Sequence, residues 1–272
     1  MRSIRPFTPT VLTIAGYDPY GGAGIQIDAK TIHALGAYAF SVTTALTAQS
    51  SQGVKAVQGC DPEIFKLQLE TLLDDVKVDA VKIGMLANAE IISIVVDIID
   101  KYGLTNIVLD TVLVSSSGKT LLEPDAIDLM VKELFPRVDL VTPNLPEINT
   151  FLSASYVGKE DEVIEIAEAF FDKGVKSVLI KGGHSSDKYK ATDYLVTKSE
   201  IITFSTARVQ TTHTHGTGCF LSSAIATGLA KGETLDISVS LAKDFLHKRL
   251  TESSNIKFNY KDKKVTRKEP LL

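Results

Sequence analysis

Thr214-His215-Gly216-Thr217-Gly218-Cys219 runs directly into Phe220-Leu221-Ser222-Ser223-Ala224-Ile225-Ala226, a small and apolar stretch that reads as a helix. A tight Gly-Thr-Gly turn at a helix start leaves several backbone N–H groups without acceptors. Together with the helix dipole they form an anion site. Gly216 and Gly218 allow positive φ and close approach of backbone to a ligand. Cys219 falls in the first helical turn, where a thiolate is favoured. The chemistry on offer is a phosphate cradle with a potential base inside it. The same residues also read as an ordinary helix N-terminus with a buried cysteine.

A phosphoryl transferase needs positioning and charge neutralisation more than covalent chemistry. Lys181 can neutralise a nucleotide phosphate. Asp110, Asn144 and Glu147 offer oxygen ligands for a hydrated Mg²⁺. Cys219 can take a proton from a substrate hydroxyl if its pKa is lowered. Taken singly, each is ordinary. Lys181 reads as a surface cation, Asp110 as a turn cap, Asn144 as a loop residue and Glu147 as a first-turn helix residue. His213 and His215 resemble a metal pair, but no third ligand is visible. Met85 reads as core, and Gln49 carries no signal of its own. Only joint placement lifts these residues above background.

The elements that must position them alternate regularly. Val11–Gly16, Tyr38–Leu46, Ala80–Met85, Ile107–Asp110, Val138–Thr142 and Ser177–Lys181 read as strands. Helices are expected over Ile25–Leu35, Glu63–Leu73, Ala89–Tyr102, Glu123–Leu134, Asp161–Phe171 and Leu235–Leu250. Thr47–Gly53 reads as a polar loop, and Ala191–Val196 with Ile201–Phe204 as a hairpin. Strands alternating with helices predict an α/β fold, a mainly parallel sheet with helices on both faces. Ligands then bind at the carboxyl ends of the strands. Gly16, Gly84-Met85, Asp110, Thr142–Asn144 and Lys181 all fall at such ends. Neither Gly22-Ala23-Gly24 nor Gly216-Thr217-Gly218 completes a dinucleotide fingerprint, and no Walker A loop is present.

The chain of 272 residues is 44% hydrophobic and 23% charged, which suits one α/β domain over 1–272 with tails at 1–9 and 256–272. A net charge of −4 argues against a nucleic-acid partner. No apolar run is long enough to span a bilayer, and Met1–Pro9 lacks the apolar core of a signal peptide. Cys60 and Cys219 are too few for a disulfide framework. A cytoplasmic protein with no membrane partner is expected. The Lys-rich stretch from Ile256 reads as a loosely held, solvated end.

Ala15–Asp28, with Tyr17-Asp18-Pro19-Tyr20-Gly21-Gly22-Ala23-Gly24 at its centre, resembles the N-terminal motif of hydroxymethylpyrimidine/phosphomethylpyrimidine kinases of thiamine biosynthesis. Lys82–Leu86, Leu109–Val112, Thr142–Glu147, Ile180–His184 and Thr214–Cys219 match the same family in order, over roughly residues 10 to 250. The resemblance implies a ribokinase-like three-layer sandwich. It implies ATP- and Mg²⁺-dependent phosphorylation of 4-amino-5-hydroxymethyl-2-methylpyrimidine, then of its monophosphate to the diphosphate. By position, Gly16, Ala23, Asp28, Gln49, Met85 and Val112 stand for the pyrimidine pocket. Gly216, Thr217 and Gly218 stand for the anion hole, with Gly218 also on the nucleotide. Cys219 stands where the wider superfamily places an aspartate base, and Lys181 where it has a phosphate-contacting lysine. Asp110 and Asn144 fall on the nucleotide side, and Asp110 and Glu147 on the metal, through water. Tyr17 and Tyr20 replace residues that are usually small, and Gln49 takes a place where some relatives have Glu. A neutral Gln both donates and accepts, which suits an aminopyrimidine edge. Pyridoxal kinase, with a shared fold and turn, is the alternative enzyme; a non-catalytic pyrimidine sensor is the alternative class. A homodimer is the expected assembly.

Overall fold

Apolar β-branched residues dominate the inner strands because both faces of the sheet are covered. The computed structural model describes residues 7–115, 118–184, 187–253, 258–262, 267 and 269–271. Nine strands form one sheet in the order β3-β2-β1-β4-β5-β6-β7-β8-β9. They are β1 (Thr10–Tyr17), β2 (Tyr38–Ser50), β3 (Gly53–Gly59), β4 (Ala80–Ile83), β5 (Ile107–Leu109), β6 (Leu140–Val141), β7 (Ser177–Ile180), β8 (Lys190–Thr197) and β9 (Ile201–Ala207). From β2 to β7 the neighbours pair in parallel, whereas β3, β8 and β9 are antiparallel additions at the two edges.

Period-two alternation splits the strand residues between two cores. Leu12, Ile14, Val81, Ile83, Leu109 and Val141 pack on one face. They meet α2 (Pro62–Asp75), α3 (Ala89–Tyr102), α4 (Pro124–Leu129), α5 (Leu145–Leu152) and α6 (Val163–Phe171). Val11, Ala80, Val108, Leu140 and Leu179 point the other way. They meet α1 (Gly24–Ala34), α7 (Thr217–Ala230) and α8 (Leu235–Glu252). The expected α/β three-layer sandwich, a mainly parallel sheet with helices on both faces, is what the chain adopts. α7 is buried almost all round, as befits a central helix built from small residues.

Local signals account for most boundaries. The Asp61 side chain accepts from Ile64 N at 3.1 Å with Pro62 following it, and the Asn88 side chain accepts from Ile91 N at 3.0 Å. Gly103 closes α3 in the left-handed conformation, at φ 58°. The helix expected over Glu123–Leu134 is interrupted. α4 passes into a π turn at Met130–Leu134 and a 3₁₀ turn at Phe135–Arg137, where Pro136 has no N–H to continue the ladder. Thr47–Gly53 is not a loop: β2 extends to Ser50 and pairs with β3, leaving a tight turn at Ser51-Gln52. β3 buries no face completely, so it shows no hydrophobic alternation in the sequence.

The chain order along the sheet reverses between β1 and β4, with β2 on one side of β1 and β4 on the other. A crevice opens at such a switch point, beyond the carboxyl ends of the strands. Beneath it lies a wholly buried ion pair. Asp28 of α1 receives Lys82 Nζ from β4 at 2.8 Å and Thr13 Oγ1 from β1 at 2.6 Å, and Ser223 Oγ from α7 at 2.7 Å. Burial holds the Asp28 carboxyl above its ordinary value, against the pull of Lys82, Thr13 and Ser223. Burial lowers the Lys82 pKa, but Asp28, Cys219 and Asp110 raise it above its ordinary value. Three donors on the carboxylate favour its ionised form and oppose the cost of burial. Removing one partner strands the other, so Lys82→Met is expected to cost about 3–5 kcal/mol. Lys82→Met with Asp28→Asn is expected to recover much of that loss, both read from urea unfolding. A Lys82→Met variant as stable as wild type would show that the charge is not confined.

Candidate active site

Above the buried pair a cavity of about 750 Å³ follows the strand ends. Gly16 and Tyr17 at the end of β1, Met85 after β4, Asp110 and Val112 after β5, Asn144 after β6 and Lys181 after β7 all line it. Gly216, Thr217, Gly218 and Cys219 close one side from α7. The residues read from sequence as pocket, cradle and metal side thus converge, with one exception. Asp28 does not face the cavity; its carboxylate is wholly buried and committed to Thr13, Lys82 and Ser223.

The cradle depends on backbone meeting backbone. Gly216 is the N-cap of α7 at φ 81°, and a Cβ there would lie 1.7 Å from the Gly22 carbonyl oxygen. Gly24, at φ 58°, would clash with the Gly16 carbonyl oxygen at 2.0 Å. Thr217 Oγ1 donates to Thr214 O at 3.2 Å, and Phe220 N begins the helical ladder to Gly216 O at 2.9 Å. The N–H groups of Gly218 and Cys219 have no protein acceptor among the described residues. They are the orphan donors expected at a helix start. A Cβ on Gly218 would lie 3.2 Å from Asp110 Oδ2 and 3.6 Å from Lys181 Nζ, so the turn, the carboxylate and the cation share one small volume.

Lys181 Nζ pairs with Asp110 Oδ1 at 2.9 Å, and Thr142 Oγ1 adds a bond at 3.3 Å. Burial pushes the Asp110 carboxyl up, but Lys181 and Lys82 more than offset it and hold it below its ordinary value. Burial alone would lower Lys181; Asp110 and Glu147 raise it. Asn144 and Glu147 form a capping box at α5. Glu147 N donates to Asn144 Oδ1 at 3.0 Å, and Asn144 N to Glu147 Oε2 at 2.8 Å, with Thr111 Oγ1 adding a third bond at 3.0 Å. Burial pushes the Glu147 carboxyl up; Lys181 opposes this and Asp110 adds to it, leaving it at about 7. Two carboxylates beside a phosphate cradle suit Mg²⁺ held through water, which needs few protein ligands. No cluster of three or more His, Cys, Asp or Glu suited to direct metal binding occurs among the described residues.

Cys219 corrects the expectation of a lowered thiol. Burial pushes it up to about 11, with Asp28 and Asp110 adding to the rise, against Lys82 and a backbone hydrogen bond from Gly24. The helix start is therefore not enough to ionise it in the free protein.

Sequence reading passed over Asp18. Its Oδ1 accepts from Tyr20 N at 2.9 Å; its Oδ2 accepts from Gly22 N at 3.1 Å, Ala23 N at 2.9 Å and His215 Nε2 at 2.9 Å. The Asp-Pro turn was the signal that could have found it. His215 Nε2 thus lies between the Asp18 carboxylate and the Gln49 amide nitrogen, 3.0 Å away, which ties the glycine loop to β2. The Thr47 hydroxyl is shared as a donor between Tyr17 O at 2.9 Å and Gln49 Oε1 at 3.2 Å. This leaves one N–H and one lone pair of Gln49 for a ligand edge. The histidines are not a metal pair, because His213 Nδ1 is bonded to Pro270 O at 3.2 Å.

The family model for phosphomethylpyrimidine kinase matches residues 18–265. The chain belongs to this family. It is 41% identical over 249 residues to the hydroxymethylpyrimidine/phosphomethylpyrimidine kinase of Escherichia coli K12, covering 92% of this chain and 93% of that one. The same-named protein of Rhizobium meliloti 1021 is 42% identical over 249 residues, with the same coverage. Among solved structures, the phosphomethylpyrimidine kinase of Clostridium difficile 630 superposes with a TM-score of 0.78 at 38% identity, over 88% of this chain and 98% of that one. An ADP complex of Bacillus subtilis pyridoxal kinase gives a TM-score of 0.84 at 30% identity, over 93% and 95%.

In this kinase the anion turn is the feature most exposed to a steric test. Gly216→Ala is expected to lower kcat by about 10²–10³, the scale of losing an aligned backbone donor. Circular dichroism is expected to show the fold retained. Wild-type kcat in that variant would mean that the turn does not face the reacting phosphate.

Proposed function

We propose that this kinase transfers the γ-phosphoryl group of ATP to the hydroxymethyl group of 4-amino-5-hydroxymethyl-2-methylpyrimidine, and then phosphorylates the monophosphate, in thiamine biosynthesis. The observation that carries the reading is the shared volume of the orphan N–H groups of Gly218 and Cys219, Asp110 and Lys181 at one end of an apolar pocket. Met85 and Val112 supply flat apolar walls, and Gln49 offers a neutral donor and acceptor to the ring edge. Lys181 offsets charge on the phosphates, and the orphan N–H groups hold the group in flight. Asp110 and Glu147 would hold Mg²⁺ through water, and it would supply charge neutralisation on the phosphate oxygens. The Cys219 thiol accepts the alcohol proton once it is itself deprotonated, with Lys82 beneath it favouring that form. A cytoplasmic homodimer is part of the same reading. Among the described residues, no helix is long and apolar enough to cross a membrane.

Pyridoxal kinase is kept as the second reading because of the close superposition on pyridoxal kinase structures. ADP release with each substrate separates the two: faster turnover of the aminopyrimidine is expected, and equal or better turnover of pyridoxal would overturn the assignment.

The titration of the free enzyme has a definite sign. A thiol at about 11 must lose its proton, so kcat/KM for the pyrimidine is expected to rise with pH from 7 to 9. Cys219→Ala is expected to lower kcat by about 10²–10⁴ and to abolish that rise. Glu147 at about 7 is protonated on the acid side, where it cannot help hold a cation. The Mg²⁺ requirement is therefore expected to increase below pH 7, and Glu147→Gln to remove this trend. An unchanged pH profile in both variants would remove both groups from the mechanism.

A further inference from the structure

Residues 211–216, which lead into the anion turn, belong to no strand or helix. Besides local turn bonds, their backbone partners come from the far end of the chain. His215 pairs with Pro270 in a parallel bridge: His215 N donates to Glu269 O at 3.1 Å, and Leu271 N donates to His215 O at 3.4 Å. Glu269 N donates to Thr212 O at 3.1 Å, and His213 Nδ1 to Pro270 O at 3.2 Å. Leu271 is 0% exposed, in a small cluster with Ile27 of α1 and Phe220 of α7, against which Cys219 also packs. The stretch expected to be solvated is thus docked at Glu269–Leu271. These residues lie beyond the range that the family model matches, which ends at 265.

A second contact ties the same segment to the glycine loop. Tyr260 OH donates to Glu269 Oε2 and Tyr20 OH donates to Tyr260 OH, with Glu269 Oε2 also 3.2 Å from Tyr20 OH. The Tyr20 ring lies 6.1 Å from that of Phe258 and 6.0 Å from that of His215. Burial and these two partners hold the Tyr20 phenol above its ordinary value, so it remains a donor. The bulk of Tyr20, unexplained at the pocket mouth, is spent on this contact. Pro270 in turn lies against Gly22, whose Cβ would fall 2.8 Å from it. Three segments, 18–23, 212–216 and 269–271, are therefore stacked directly behind the cradle.

We propose that Glu269–Leu271, anchored through Tyr20 and Tyr260, is a clasp that holds the segment before the anion turn in its catalytic conformation, with Leu271 and Glu269 as positioning residues. This rests on the kinase reading, since the conformation held is that of the phosphate cradle. Among the described residues, the clasp reaches the pyrimidine side only through His215, which contacts Gln49, and does not contact Met85, Val112 or Lys181. Losing it lowers the rate of transfer more than it weakens substrate binding, because a misaligned donor costs transition-state stabilisation.

The test uses the full chain with Leu271→Asp, Leu271→Met and Glu269→Ala. Amide hydrogen exchange over 212–220 reads the clasp without any substrate, and steady-state ADP release reads its consequence. Leu271→Asp is expected to speed exchange over 212–220 by about tenfold or more while leaving β4 and β5 protected. It is expected to lower kcat by about tenfold or more with KM for the pyrimidine changed less than about threefold. Leu271→Met is expected to behave as wild type, and Glu269→Ala to move both readouts in the same direction by a smaller amount. Unchanged exchange over 212–220 in both Leu271→Asp and Glu269→Ala would overturn the clasp. So would accelerated exchange with unchanged kcat, or a loss of kcat in step with global unfolding. If the wild-type protein fails to phosphorylate the pyrimidine, the kinase assignment falls while the exchange data still decide whether the clasp exists.

Discussion

A positive charge with no access to water lies beside Cys219, and the site is built around keeping it there. Lys82 is wholly buried on β4, held by Asp28 from α1. Asp28 is also bound by Thr13 from β1 and Ser223 from α7, so one carboxylate joins two strands and two helices. A buried pair of this kind is weak evidence for stability, since apolar replacements often match it. Its value here is positional and electrostatic. It fixes α7 against the sheet through Ser223, and it places a cation near both the Cys219 thiol and Asp110.

Charge is arranged above that floor in a graded way. Asp110 is held ionised between two lysines, whereas Glu147, a short distance along the rim, is left near neutrality by burial. Two carboxylates in one cleft with pKa values pushed apart is a pattern of functional sites. The Glu147 capping box also serves the fold, starting α5 at the end of β6. One side chain therefore sets a helix boundary and presents a carboxyl group to the cleft.

The interior of the fold was legible because buried parallel strands are written as apolar β-branched runs, and because caps such as Asp61, Asn88 and Gly103 act locally. The rim was legible because carboxyl ends of parallel strands converge whatever the details of packing. What escaped depended on long-range contact. β3 was missed since its register is set by pairing with β2 and not by burial. Asp28 looked like a pocket residue because nothing local shows that Thr13, Lys82 and Ser223 would consume it. The Cys219 thiol was expected to be acidic from its helix position alone, whereas desolvation dominates. The docking of Glu269–Leu271 onto the segment before α7 spans long separations, as in the bond from His213 to Pro270 at a separation of 57, and Lys-rich composition conceals it.

The contacts between Gly16 and Gly24 and between Gly22 and Gly216 have a consequence for how this architecture can diversify. At those points two main chains touch with no room for any side chain between them. The phosphate end of the cleft is therefore almost closed to gradual change. On the function proposed above, variation in the ring enters through side chains such as Gln49, Met85 and Val112, which reach the cleft from β2 and from the segments after β4 and β5. On that reading, one transfer geometry can be paired with a different heterocycle by exchanging a few side chains while these main-chain contacts stay as they are.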